Sequence, residues 1–171
     1  MHRGPGHLSV PQLTQDRVTT RAETAEDETF LRRLNIAVRW NEFAALAIPP
    51  AEKVALLQQQ YDARRTGYRG EFPDADFHVV ECGGVPVGRF YVDRRPDTHH
   101  LVDIAILPDH CGQGIGTALL REMLAQAGRA GVGVILRVDH LNPAKRLYQR
   151  LGFVEIEDLG FDALMRWLPG C

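Results

Sequence analysis

The spacing of hydrophobic residues changes several times along the chain, and each change predicts a new element of secondary structure. Apolar residues three or four positions apart predict helices, and apolar residues that alternate with polar ones predict strands. A short strand is predicted to begin at Arg17. The elements predicted after it are helices at about 26–40 and 49–66, strands at 77–82, 86–92 and 99–107, a helix at about 114–128, a strand at 132–138, a helix at 143–151, and strands at 153–156 and 161–167.

The residues between these elements are typical of helix ends and turns. Thr24 precedes three acidic residues, as at a helix N-terminus, and Gly83-Gly84 is a hairpin signal between two strands. Asn142 followed by Pro143 predicts an N-cap and a first helical residue. We therefore expect one mixed α/β domain over residues 17–168, preceded by a flexible tail at residues 1–16.

Composition and charge exclude several classes of protein. The chain has 171 residues, enough for one domain, and 20 basic against 22 acidic residues leave a net charge of −2. This balance provides no basic field for nucleic acid or an anionic membrane, and no apolar run is long enough to span a bilayer. Three cysteines without CxxC spacing indicate neither a disulfide framework nor a zinc site. We expect a cytoplasmic protein without a metal and without nucleic-acid or membrane partners.

A glycine-rich stretch, Cys111-Gly-Gln-Gly-Ile-Gly116, lies between a predicted strand and a predicted helix. Glycines allow a tight turn that directs backbone N–H groups to one point, and the helix N-terminus adds a partial positive charge. The stretch can be a purely structural turn, or it can bind a phosphate or pyrophosphate. No lysine precedes Thr117, which excludes a Walker A loop, and the glycine spacing does not fit a dinucleotide-binding fingerprint.

Two longer patterns surround this loop. Residues 101–127 read LVDIAILPDHCGQGIGTALLREMLAQA, and residues 141–153 read LNPAKRLYQRLGF. The first resembles the acyl-CoA-binding motif of the GNAT N-acetyltransferase superfamily, Arg/Gln-x-x-Gly-x-Gly/Ala after a strand. The second resembles that superfamily's motif Asn-x-x-Ala-x-x-x-Tyr-x-x-x-Gly-Phe. Cys111 departs from the pattern, because the family usually carries Arg or Gln there.

The resemblance covers about residues 17–168 and implies a fold. This is a mixed α+β domain with a central, mostly antiparallel, twisted sheet of six or seven strands and about four flanking helices. The sheet should be splayed at the strand that precedes the glycine loop.

The resemblance also implies acetyl-CoA as the acyl donor. Its binding residues would come from the glycine loop, from the backbone of the preceding strand and from the second motif. These candidates are Cys111, Gly112, Gln113, Gly114, Ile115, Gly116 and Thr117 in the loop, Ile104, Ile106 and Leu107 in the strand, and Asn142, Ala144 and Arg146 in the second motif.

The chemistry implied by the resemblance is direct attack of an amine on the thioester. Tyr148 would then protonate the departing thiolate, a role that suits a phenol because its pKa near 10 keeps it protonated at neutral pH. Some members of this family carry a Glu or His as general base eleven residues before the Arg/Gln position, and the resemblance then implies His100, eleven residues before Cys111, with Asp103 and Glu42 as rivals.

The acceptor site of this family is shaped by the first two helices. Candidate acceptor-binding residues are therefore Arg39, Trp40, Glu42 and Tyr68. We expect an N-acetyltransferase that acts on a primary amine of a small molecule, peptide or protein, as a monomer or homodimer. The alternative is a non-catalytic acyl-CoA-binding sensor or partner module.

Overall fold

The computed structural model describes residues 18–170, which form seven β-strands and four α-helices. The strands are β1 (Val18–Ala22), β2 (Asp76–Cys82), β3 (Val85–Arg94), β4 (Thr98–Ile106), β5 (Gly133–Asp139), β6 (Val154–Asp158) and β7 (Asp162–Trp167). The helices are α1 (Glu28–Arg39), α2 (Pro50–Glu71), α3 (Ile115–Ala130) and α4 (Ala144–Arg150). The predicted order and class are confirmed, while the predicted tail at residues 1–16 lies outside the described residues.

Helix α2 is longer than the sequence predicts, since it continues to Glu71 and does not end near residue 66. Gly67 and Gly70 weaken the helical signal there because glycine is a poor helix former. Tertiary contacts hold the last turns instead. Arg69 forms an ion pair with Glu23, and the ring of Tyr68 packs edge-on against Tyr91 with centroids 6.3 Å apart.

All strands belong to one sheet with the order β1-β2-β3-β4-β5-β7-β6. Neighbouring strands are antiparallel except β4 and β5, which run parallel. The β4–β5 pairing joins residues 98–101 to residues 133–136 and then stops, so the sheet is splayed as expected. Against β3, strand β4 has one extra residue, Val102, between the pairs formed by Leu101 and Asp103. This bulge lies where the splay begins.

Helices cover both faces of the sheet. The main core lies between the sheet and α3 and α4, and it includes Phe90, Leu136 and Met165. A smaller core lies on the face covered by α1 and α2, around Leu31, Tyr61 and Val79. Because β3 side chains alternate, Arg89 and Tyr91 point to this second face. Among residues 18–170, no helix has the length and apolar character needed to cross a membrane.

Candidate active site

The glycine loop connects the end of β4 to the start of α3. Gly112 and Gly114 have φ angles of +75° and +82°, and Gly114 is the N-cap of α3. In this left-handed region a side chain costs about 1–2 kcal/mol, so glycine suits both positions. The loop therefore turns sharply into a helix whose N-terminus faces outward.

The backbone of this loop presents N–H groups that form no hydrogen bond within the described part of the chain. Within residues 18–170, the N–H groups from Gly112 to Thr117 donate to no other protein group, and the next one, of Ala118, donates to the Gly114 carbonyl. Ile115 is buried in the main core and fixes the start of the helix. Six successive free donors at a helix N-terminus form a cradle that suits a phosphate.

Two side chains of the loop stabilise it through hydrogen bonds to nearby backbone carbonyl groups. The Cys111 thiol donates to the carbonyl oxygens of Ile106 and Leu107 at 3.6 and 3.5 Å. The Gln113 side-chain amide donates to the carbonyl of Asp109 at 3.1 Å. The cradle therefore consists of backbone groups, and a small residue at position 111 is compatible with it.

The open edge of β4 faces the gap left by β5. The Leu107 N–H donates to the Val87 carbonyl on the β3 side at 2.8 Å, and the Leu107 carbonyl accepts from His110. Successive residues of a strand direct their backbone groups to opposite edges. The backbone groups of Ile104 and Ile106 therefore face the gap, whereas those of Leu107 are already engaged.

The second motif forms the start of α4 and places Tyr148 in the main core. The Asn142 side chain caps the helix by accepting the Ala144 N–H at 2.9 Å. Ala144, Tyr148 and the following Gly-Phe keep the motif spacing, but Asn142 stands one residue nearer to Ala144 than the pattern has it. Arg146 is exposed.

Tyr148 is 5% exposed and packs against Phe153 with ring centroids 5.8 Å apart. Burial, together with the negative charge of Asp103, raises the pKa of Tyr148 above its ordinary value. The Tyr148 hydroxyl has no hydrogen-bond partner within residues 18–170. It is therefore a protonated, unengaged donor within electrostatic range of β4.

The charge of Asp103 acts on Tyr148 from the opposite face of the sheet. Its Oδ2 accepts a hydrogen bond from Arg89 Nε at 2.7 Å, and the Arg89 side chain is only 3% exposed. Burial and the Asp103 charge raise the pKa of Tyr68 to about 12. One carboxylate therefore influences a tyrosine on each side of the splayed sheet.

His100 lies on the same face as Asp103 but before the splay, where β4 still pairs with Ile135 of β5. Its ring packs edge-on against Phe72 with centroids 4.9 Å apart. Burial, and secondarily the charge of Arg95, lowers the pKa of His100. The structure thus gives a neutral imidazole that is not in contact with Tyr148.

The four predicted acceptor-binding residues do not form one group. Arg39 forms an ion pair with Glu42 at 2.7 Å and a hydrogen bond with Gln60. Trp40 is partly exposed beside the Lys53 ammonium. Tyr68 alone among the four lines the cleft between α2 and the sheet.

That cleft is narrow and partly open to solvent. Its walls are aromatic rings and charged side chains: Glu23, Tyr61, Arg64, Arg65, Tyr68, Phe77, Arg89 and Tyr91. The sequence does not predict Glu23 or the three arginines as site residues, because an isolated charged residue usually lies on the solvated surface. Arg64 and Arg65 follow Tyr61 by three and four positions on the same helix, and this spacing would have identified them.

His140, Glu155 and Asp158 place possible ligand atoms within 4.8 Å of one another. The Lys145 ammonium already lies between them, 2.8 Å from Glu155 and 3.0 Å from His140 Nδ1. A cation of the protein itself therefore balances this cluster, and we assign no metal to it.

Comparison with known proteins finds a family domain within the chain. The model of the acetyltransferase (GNAT) domain matches residues 73–155. The [ribosomal protein bS18]-alanine N-acetyltransferase of Haemophilus influenzae is 39% identical over 62 residues, which are 36% of this chain and 42% of that protein. The match thus spans less than half of this relative's length.

Solved structures share the fold at low sequence identity. The PaiA N-acetyltransferase of Thermoplasma acidophilum, solved in complex with coenzyme A, superposes with a TM-score of 0.67 at 18% identity, covering 88% of this chain and 98% of that chain. The ribosomal-protein-S18-alanine N-acetyltransferase of Escherichia coli gives a TM-score of 0.58 at 21% identity, covering 90% and 95%. The chain therefore matches the GNAT acetyltransferase domain over residues 73–155, and its fold is similar to that of these solved N-acetyltransferase structures.

Proposed function

We propose that the protein transfers an acetyl group from acetyl-CoA to the amine of a small-molecule, peptide or protein acceptor. The observation that carries this proposal is the free edge of β4 beside six unused backbone N–H groups. An extended ligand with phosphates at one end fits this combination, because it can pair with the strand and place its anions at the helix N-terminus. Acetyl-CoA has this form and supplies an activated thioester.

The donor would be held mainly by backbone groups. The N–H groups of residues 112–117 would bind its phosphates, and the positive end of the α3 dipole would add to their attraction. Ile104 and Ile106 would pair with its extended arm across the gap. Asn142 and Ala144 lie at the start of α4, where the Asn142 side chain is already engaged in capping. Free thiols at Cys82 and Cys111 also fit a reducing compartment, and we include a cytoplasmic location in the proposal.

Tyr148 would donate the proton that the departing sulfur needs. In the reaction, a bond forms between the amine nitrogen and the acetyl carbon, and the carbon–sulfur bond breaks. The raised pKa of Tyr148 keeps its hydroxyl protonated throughout the neutral range. The hydroxyl engages no group within the part of the chain that the structure describes, so it is available to the sulfur.

The amine must lose a proton before it can attack. Asp103 Oδ1 forms no hydrogen bond within residues 18–170, and it would hold the acceptor ammonium near Tyr148. His100 would take the proton, because burial lowers its pKa and leaves the ring neutral at pH 7. The two residues are three positions apart on one strand, roughly 10 Å, so water would carry the proton between them. Glu42 is not assigned this role, because Arg39 engages its carboxylate.

Calorimetric titration of the full-length protein tests the donor site. Acetyl-CoA should bind one-to-one, and acetyl-pantetheine, which lacks the phosphates, should bind far more weakly. Amine-dependent loss of the thioester then tests the reaction itself. Binding without such turnover would support the sensor alternative, and a folded protein that binds no CoA thioester would contradict the proposal.

A matched pair of glycine variants assigns the binding to the loop. Gly114→Ala places a side chain at a φ of +82° in the cradle, and Gly84→Ala does so at +80° in the β2–β3 turn. Both positions have open space for the new methyl group. Each variant should lose about 1–2 kcal/mol of stability, but only Gly114→Ala should weaken acetyl-CoA binding.

A further inference from the structure

Of the three arginines that line the cleft between α2 and the sheet, only Arg64 lacks a carboxylate partner within residues 18–170. The Glu23 side chain is 4% exposed and is engaged by Arg65 at 3.3 Å, by Arg69, and by the Tyr91 hydroxyl at 2.8 Å. Arg89 is paired with Asp103. The remaining cleft arginine, Arg64, forms no ion pair or hydrogen bond within residues 18–170.

Arg64 lies on the same side of α2 as a second unused donor. Tyr68 follows four residues later, a spacing that places two side chains next to each other on a helix. Both line the cleft, and the Tyr68 hydroxyl has no hydrogen-bond partner within residues 18–170. The raised pKa of Tyr68 keeps this hydroxyl protonated. A guanidinium and a hydroxyl with no acceptor of their own therefore face one concave space.

Asp103, on β4 of the sheet, provides a negative charge next to the same cleft. Arg89 lines the cleft and holds Asp103 through Oδ2, while Oδ1 forms no hydrogen bond within the described chain. The Asp103 side chain is 15% exposed and lies just beyond the point where the sheet splays. Arg64 and Tyr68 can therefore bind an anion in the cleft, and Asp103, which Arg89 holds behind the cleft wall, can bind a cation beside the splay.

Resting on the proposed acetyl transfer, we propose that the acceptor is a small molecule with an oxyanion, a carboxylate or a phosphate, a few bonds from its amine. Arg64 and Tyr68 bind the oxyanion, and Asp103 binds the ammonium beside the splay. A purely cationic amine leaves Arg64 without an acceptor and is therefore a poor substrate.

Matched pairs of amines test this assignment through kcat/KM. Amino acids compared with their amides report on a carboxylate, and O-phosphoethanolamine compared with ethanolamine reports on a phosphate. Because charge-assisted hydrogen bonds are the strong ones, the anionic member of at least one pair should be preferred roughly 10- to 100-fold. Spermidine, which carries no anion, should be among the poorest acceptors.

Substitutions at two arginines test whether the preference for the anionic amine arises at Arg64. Arg64→Gln should raise KM for the anionic acceptor and abolish the preference, with the Kd for acetyl-CoA unchanged. Arg33→Gln is the matched control, because Arg33 is exposed on α1 against Phe30 and outside the cleft. Tyr68→Phe is a second test that removes one donor with little change in volume, and it should reduce the preference in part.

The outcomes separate this inference from the proposed function. Turnover with no preference for an anionic amine, or a preference that survives Arg64→Gln, overturns the inference and leaves acetyl transfer intact. If no amine is turned over, calorimetry of the protein saturated with CoA decides. Binding of an anionic amine but not of its neutral partner supports the inference, and equal or absent binding of the two overturns it.

Discussion

Replacing Gly88 by alanine would add a methyl group to β3, opposite the part of β4 that no longer pairs with β5. Gly88 pairs with Ile106 across β3 and β4. A Cβ at Gly88 would lie 2.6 Å from Ile106 Cδ1 and closer still to the carbonyl oxygen of Ala105. The isoleucine side chain can rotate away, but the Ala105 carbonyl belongs to the backbone and moves only with the strand. We therefore expect a cost near the upper end of the range for overpacking, about 1–3 kcal/mol.

Urea unfolding followed by circular dichroism measures this cost. The melting temperature should also fall, by roughly 2–4 °C for each kcal/mol in a chain of this size. Acetyl-CoA should bind more weakly to Gly88→Ala, because Ile104 and Ile106 lie on the displaced segment. The control is Gly67→Ala in α2, where the new Cβ meets open space and alanine should add about 0.5–1 kcal/mol of stability. A Gly88→Ala protein as stable as the wild type would refute the reasoning.

Two further predictions concern the reaction. Tyr148→Phe should lower kcat by roughly 10²- to 10⁴-fold with little change in acetyl-CoA affinity, and unchanged kcat with chemistry rate-limiting would remove Tyr148 from the mechanism. Because burial lowers the pKa of His100, kcat/KM should rise with pH through a value below about 6.5 as the ring loses its proton. His100→Gln should abolish this acid limb, and a limb that persists in the variant would exclude His100 as the base.

The sequence predicts the order of the elements and the glycine loop because both depend on local signals. Gly112 and Gly114 are needed where the backbone turns left-handed, and Asn142 caps the helix that it precedes. The position of the splay is predicted only by the family resemblance, because the spacing of apolar residues does not show where two neighbouring strands stop pairing. The predicted end of α2, near residue 66, is wrong because a local signal is present there but is misleading. Its glycines are a local signal, and the contacts of Tyr68 and Arg69 with distant residues override it.

The acceptor cleft is the part that local patterns do not reveal, because its charges are set by pairs far apart in sequence. Glu23 is 46 residues from Arg69 and 68 residues from Tyr91, yet it is buried against both. Taken singly, each of these arginines resembles a solvated surface residue. Once the other arginines that line the cleft are matched with carboxylates, Arg64 stands out as the one without a partner among the described residues. The selectivity inferred for the cleft therefore depends on Glu23 as well, since loss of its carboxylate would release Arg65 and Arg69 and add further positive charge beside the acceptor.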